Sequence, residues 1–61
     1  MKNNLQFLME SRNVTVSMLA KELNVSRTTI YRLLEGKTPS AILMLKISAY
    51  FKKPVNDVFC A

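Results

Sequence analysis

The sequence predicts an all-α domain of five short helices, and three observations predict it. Residues 16–36, VSMLAKELNVSRTTIYRLLEG, space their apolar, small and polar side chains for two helices joined by a tight turn. Thr15 and Ser26 stand where N-caps are needed, and Asn13, Asn24 and Gly36 stand where a chain leaves a helix in the left-handed conformation. The chain has 61 residues, 49% of them hydrophobic, which is one domain (1–61) with a tight helical core and some apolar surface left for a partner. A chain this short buries only about 60% of the surface its unfolded form exposes, so modest stability is expected.

Each element has its own justification. The first helix is expected over about 4–11, with Leu5, Leu8 and Met9 at i, i+3 and i+4 and Asn13 as its exit. The second follows Thr15 and carries Leu19, Ala20 and Leu23 as one stripe; the small Ala20 lets a neighbouring helix approach closely. Asn24 turns the chain and Val25 follows as a buried plug. The third helix starts after Ser26 and runs to Leu34 or Glu35. Ile30, Leu33 and Leu34 share one face; Thr28 and Arg32 share the opposite one, flanked by Thr29 and Tyr31. Arg27 lies angularly near the inward side, but at the helix tip its side chain can project ahead. The fourth helix begins at Pro39 or Ser40 and continues to Phe51, with Leu45 and residues 47–50 following the periodicity of the core. Pro54 starts a short fifth helix to about Phe59, because proline suits a first helical turn, and Phe59 closes the core.

Charge points to a polyanion. Nine Lys and Arg against four Asp and Glu give a net charge of +5, and two of the arginines, Arg27 and Arg32, fall on or beside the outward face of the third helix. An ordinary helical hairpin in a basic, soluble bundle would share these features. Catalysis finds little support: the chain has no histidine, one cysteine and four scattered carboxylates, so no metal cluster or nucleophile–base pair assembles locally. The lone glycine excludes a glycine-rich phosphate loop. No metal, cofactor or small-molecule ligand is expected. Cys60 has no intramolecular partner, which suits a reducing, cytoplasmic setting and makes it a bystander near the C-terminus. No apolar run approaches the roughly 18 residues of a membrane span, and the N-terminus carries no signal-peptide core.

At the two-helix stretch the chain resembles the Cro/C1-type (XRE-like) helix-turn-helix proteins, which include phage repressors and short bacterial regulators. Gly36-Lys37, Pro39-Ser40, Leu45-Lys46-Ile47 and residues 55–59 (VNDVF) fall in the order and approximate spacing of that family's later helices, so the resemblance covers nearly the whole chain. It implies a compact, lambda-repressor-like five-helix domain with the helix-turn-helix at helices 2 and 3, and double-stranded DNA as partner. In the family's docking mode the third helix enters the major groove with its N-terminal residues nearest the base edges. Carried over by motif position, Arg27, Thr28 and Arg32 read bases. Ser17, Ser26, Thr29, Tyr31, Lys37, Thr38 and Ser40 contact phosphates, with the backbone amides at the starts of helices 2 and 4. Tyr31 has a second reading as an aromatic packed on a neighbouring turn, and Arg32 has one as a surface partner of Glu35 or Glu22.

Two departures from the family pattern stand out. Val16 occupies a position where many members carry a phosphate-donating Gln, and Ser17 beside it is a partial substitute. Met9 and Leu34 occupy positions where many members carry a buried Arg–Glu pair, so an apolar contact is expected instead, at no necessary loss of stability. Phe7, Ile42 and Leu43 are apolar where a monomer would carry polar residues; they belong either to an extended core or to a partner surface. A two-fold homodimer seam is expected from Ile42, Leu43, Phe51, Pro54 and Val55. No sensor domain fits, so a small Cro-like repressor on a palindromic operator is the expected function. The alternatives are a protein-interaction module of antitoxin or antirepressor type and a non-specific architectural DNA binder.

Overall fold

A computed structural model describes residues 2–60; the side chains of Lys2 and Cys60 lie outside the described part, and with them the reading of the Cys60 thiol as a bystander. Five helices follow one another: α1 (Leu5–Ser11), α2 (Val16–Leu23), α3 (Arg27–Leu34), α4 (Ala41–Phe51) and α5 (Val55–Val58). Two short strands not expected from the sequence, β1 (Lys2–Asn3) and β2 (Phe59–Cys60), pair antiparallel and tie the chain ends together, Asn3 opposite Phe59. The all-α class stands, with this clasp added.

The helix boundaries are set by side-chain chemistry. Thr15, Ser26 and Ser40 each accept, through the hydroxyl, the amide three residues on: Met18 at 3.1 Å, Thr29 at 3.2 Å and Leu43 at 3.2 Å. Ser40, not Pro39, caps α4. Asn13 and Asn24 both take φ 56°, as an exit residue should, and Gly36 takes φ 99°. Lys52 ends α4 in the same left-handed region, φ 54°. A lysine there costs about 1 kcal/mol of backbone strain, and no signal in the sequence marks it. Pro54 sits one residue outside α5, as its N-cap, rather than in its first turn. Phe59 has left α5 for β2, yet it is buried as expected.

One cluster forms the core. Leu5, Leu8 and Met9 of α1 meet Leu19, Ala20 and Leu23 of α2, Ile30 and Leu33 of α3, and Leu43, Ile47 and Phe51 of α4, closed by Val58 and Phe59. Each large side chain taken fully out of water contributes about 1.5–3 kcal/mol, which is the main force holding helices this short. Val25 is half-buried against the cluster, so it is a plug at the margin rather than inside. Met9 is buried and Leu34 packs half-buried against the same cluster, so apolar packing stands at both positions.

The outer face of α4 corrects two expectations. Leu43 and Phe51 are 8% and 0% exposed, and they lie four residues to either side of Ile47 on the inward stripe, so neither is free to form a seam between copies. Leu45, expected in the core, is 64% exposed, because two residues from Leu43 and from Ile47 is about 200° around the helix. Ile42 is 70% exposed on that same outward side, Pro54 is exposed, and Val55 is half-buried.

Candidate nucleic-acid interface

The α2–α3 corner presents an exposed polar and cationic face. Asn24 and Val25 close the turn with Asn24 N donating to Lys21 O at 3.2 Å and Val25 N to Ala20 O at 3.0 Å. Ala20, buried at the crossing, leaves room for α3 to pack closely on α2. With Ile30 and Leu33 drawn inward, Thr28 and Arg32 are forced outward, and both are exposed, as is Arg27 at the helix tip. Among the described residues no ion pair with Glu22 or Glu35 holds Arg32. Its guanidinium therefore keeps all its donors for another partner. Tyr31 is 54% exposed beside the same face.

A groove runs from α3 to the start of α4. Its rim carries Thr29, Arg32, Lys37, Thr38 and Ser40, and Leu33 and Leu43 form its apolar floor beside Pro39. The chain reaches it by a turn in which Gly36 N donates to Leu33 O and Lys37 N to Arg32 O, each at 3.0 Å. That turn needs the positive φ of Gly36, and it brings Arg32 and Lys37 to one rim although they lie in different elements. At the α4 end, Ser40 satisfies the Leu43 amide and the Ala41 and Ile42 amides have no acceptor within the helix. Two cations, three hydroxyls and a helix N-terminus thus face one depression, a donor set suited to phosphate oxygens.

The structure sorts the expected residues into four places. Arg32, Thr29, Lys37, Thr38 and Ser40 converge on the groove. Arg27, Thr28 and Tyr31 lie outside it on the exposed part of α3, and Ser17 is exposed in the first turn of α2, next to the Thr15 cap. Ser26 is already engaged within the fold, since it caps α3 and shares a hydrogen bond of 3.0 Å with the Thr29 hydroxyl. Two hydroxyl protons serve one mutual bond, so one proton of the pair is left to donate outward.

Two basic residues are drawn into the fold instead. Arg12 donates from Nη2 to Phe51 O at 2.7 Å, and its guanidinium stands 5.5 Å from the centre of the Phe51 ring. It thereby neutralises the carbonyl end of α4. Lys46 donates to Leu23 O at 3.4 Å, at the carbonyl end of α2 just before the turn. Neither bond is signalled by the sequence, because neither partner is near in the chain.

Comparison with known proteins adds the lineage of this arrangement. Residues 5–58 match the family model described as helix-turn-helix. Over 60 residues the chain is 42% identical to a protein of Methanocaldococcus jannaschii described as an uncharacterized HTH-type transcriptional regulator, covering 97% of this chain and 91% of that protein.

Proposed function

The chain belongs to the helix-turn-helix family, and on that premise we propose that it is a sequence-specific transcriptional repressor of the Cro type that binds operator DNA as a two-fold dimer. In this reading α3 lies in the major groove. Arg27 and Arg32 bond guanine O6 and N7, and Thr28 meets a thymine methyl or a base-edge acceptor. The groove between α3 and α4 holds the flanking phosphate through Lys37, Thr38 and Ser40, aided by Thr29, while Ser17, Ser26 and Tyr31 meet phosphates elsewhere along the backbone. The single observation that carries the reading is the convergence of one base reader, Arg32, and the phosphate donors on one rim. The relative's description as a transcriptional regulator supports it. In this reading the site of action is cytoplasmic, the cytosol or nucleoid of a bacterial cell.

The dimer rests on α4. Ile42 and Leu45 form an outward apolar stripe that starts beside the phosphate donors, with Pro54 and Val55 beyond the other end of the helix. Half-sites one DNA turn apart on an approximately palindromic site require the two α3 helices of such a dimer to stand about 34 Å apart. Each copy carries +5, so association is opposed in free solution and favoured where DNA phosphates cancel that charge. Repression then means occupying an operator and excluding polymerase.

Selection of bound duplexes from a random pool tests the reading, with wild type, Arg27→Ala and Arg32→Ala side by side. A two-fold symmetric consensus that loses preference at different base pairs in the two variants is expected. Binding that falls steeply with salt but selects no sequence would make the protein an architectural DNA binder. Failure to retain duplex DNA would leave a protein-interaction module.

A further inference from the structure

Asn3 divides its carboxamide between two helices. Oδ1 accepts the Leu5 amide at 3.0 Å, in the first turn of α1, and Nδ2 donates to Leu33 O at 2.8 Å, a contact between residues 30 apart in sequence. The backbone of Asn3 is held in place for this by its pairing with Phe59. Asn4 makes its own pair of bonds in another direction: its amide donates to Val58 O and its Nδ2 to Asp57 O, both at 2.7 Å. Two adjacent asparagines thus pin α1 to two different elements, Asn3 to α3 and Asn4 to α5.

The carbonyl that Asn3 reaches is a junction. Leu33 O also receives Gly36 N, and it lies between Arg32, which faces outward behind it, and the turn that delivers Lys37 and Thr38 ahead of it. Carbonyls in the last turn of a helix have no helical donor, so this turn is the part of α3 most inclined to fray. Fraying there would leave the N-terminal tip, with Arg27 and Thr28, undisturbed and would change where Arg32 and Lys37 point. We propose that Asn3 is a positioning residue for DNA reading, holding the last turn of α3 so that Arg32 meets its base pair while Lys37 meets its phosphate. This rests on the assignment of α3 as the reading helix.

The pair of asparagines supplies a matched test. Asn3→Asp keeps the shape and the acceptor for Leu5 N, but sets an oxygen against Leu33 O. Asn4→Asp makes the same change of charge and loses the same kind of bond, toward Asp57 O. Asn3→Ala removes both the donor to Leu33 O and the acceptor for Leu5 N without adding charge. Duplex selection and affinity on the selected site are measured for all three at a temperature where the wild type is fully helical by circular dichroism. Asn4→Asp should select the wild-type site. Both Asn3 variants should lose about three- to tenfold of preference at the base pairs that Arg32→Ala also loses, and keep those that depend on Arg27. Asn3 variants that match Asn4→Asp overturn the proposal, as does a loss spread evenly over all base pairs that follows a loss of helicity. If wild type selects no sequence, it is the reading-helix assignment that fails.

Discussion

Helices α3 and α4 start in the same way and differ on their outer faces. Each follows a serine whose hydroxyl accepts an amide at 3.2 Å, and each buries an apolar stripe, Ile30 and Leu33 in α3 and Leu43, Ile47 and Phe51 in α4. The outer face of α3 is hydroxylic and cationic, whereas that of α4 carries Ile42 and Leu45, more than half exposed. Similar inward packing therefore supports two unlike outward chemistries. A helix that is apolar on all sides is normally buried on all sides. α4 is covered on one side only, so its outer face suits a partner surface where that of α3 suits a polyanion.

The comparison breaks first if the inner faces are not equivalent. Phe51→Ala should cost about 3–5 kcal/mol and Ile30→Ala about 2–5 kcal/mol, read as shifts of the urea midpoint at unchanged slope. For a domain of this size either loss takes most of the stability. A midpoint left in place by Phe51→Ala would mean that α4 is not part of the core.

Next in size is the junction of α1 with α3. Met9→Arg introduces a charge among Leu5, Leu8 and the α3 stripe, and should destabilise by about 3 kcal/mol, with Leu34→Glu in the same chain recovering part of the loss. Unchanged thermal stability of Met9→Arg alone would refute the burial of that position.

The outer faces separate the two helices more sharply. Arg32→Ala should weaken binding to a selected duplex by about 1–3 kcal/mol and leave the melting temperature unaltered. The double variant Ile42→Lys, Leu45→Lys should do the reverse of a core substitution: stability within about 0.5 kcal/mol of wild type, with affinity for a single half-site retained and cooperativity on a two-half-site duplex lost. Sedimentation that finds only monomer, free and on DNA, removes the dimer; a melting temperature that drops sharply in the double variant returns Ile42 and Leu45 to the core.

The parts of the molecule that are legible in the sequence are those whose causes are local. Thr15, Asn24, Ser26 and Gly36 act within four residues of themselves, and the corner they build follows from capping and left-handed turns alone. The outward placement of Thr28 and Arg32 is legible because α3 has strong contrast between its faces. α4 has almost none: an apolar residue at nearly every position gives periodicity nothing to choose by, which is why it puts Leu45 on the wrong side. The bonds of Asn3, Arg12 and Lys46 span 30, 39 and 23 residues, so no spacing rule could signal them. Asn3 ties the last turn of α3 to the N-terminal strand, Lys46 ties the end of α2 to α4, and Arg12 ties the exit of α1 to the end of α4, links that the motif residues cannot make for themselves.

The terminal clasp has a consequence for how this unit can be joined to other chains. Because Lys2 pairs with Cys60, the polypeptide enters and leaves the domain at neighbouring points, about one strand spacing of roughly 5 Å apart. Such a unit can be spliced into a surface loop of a host protein as a cassette, both junctions falling at one place. Equally, a few linking residues across the clasp would allow new ends to be opened elsewhere, giving a circularly permuted domain with the same arrangement of helices.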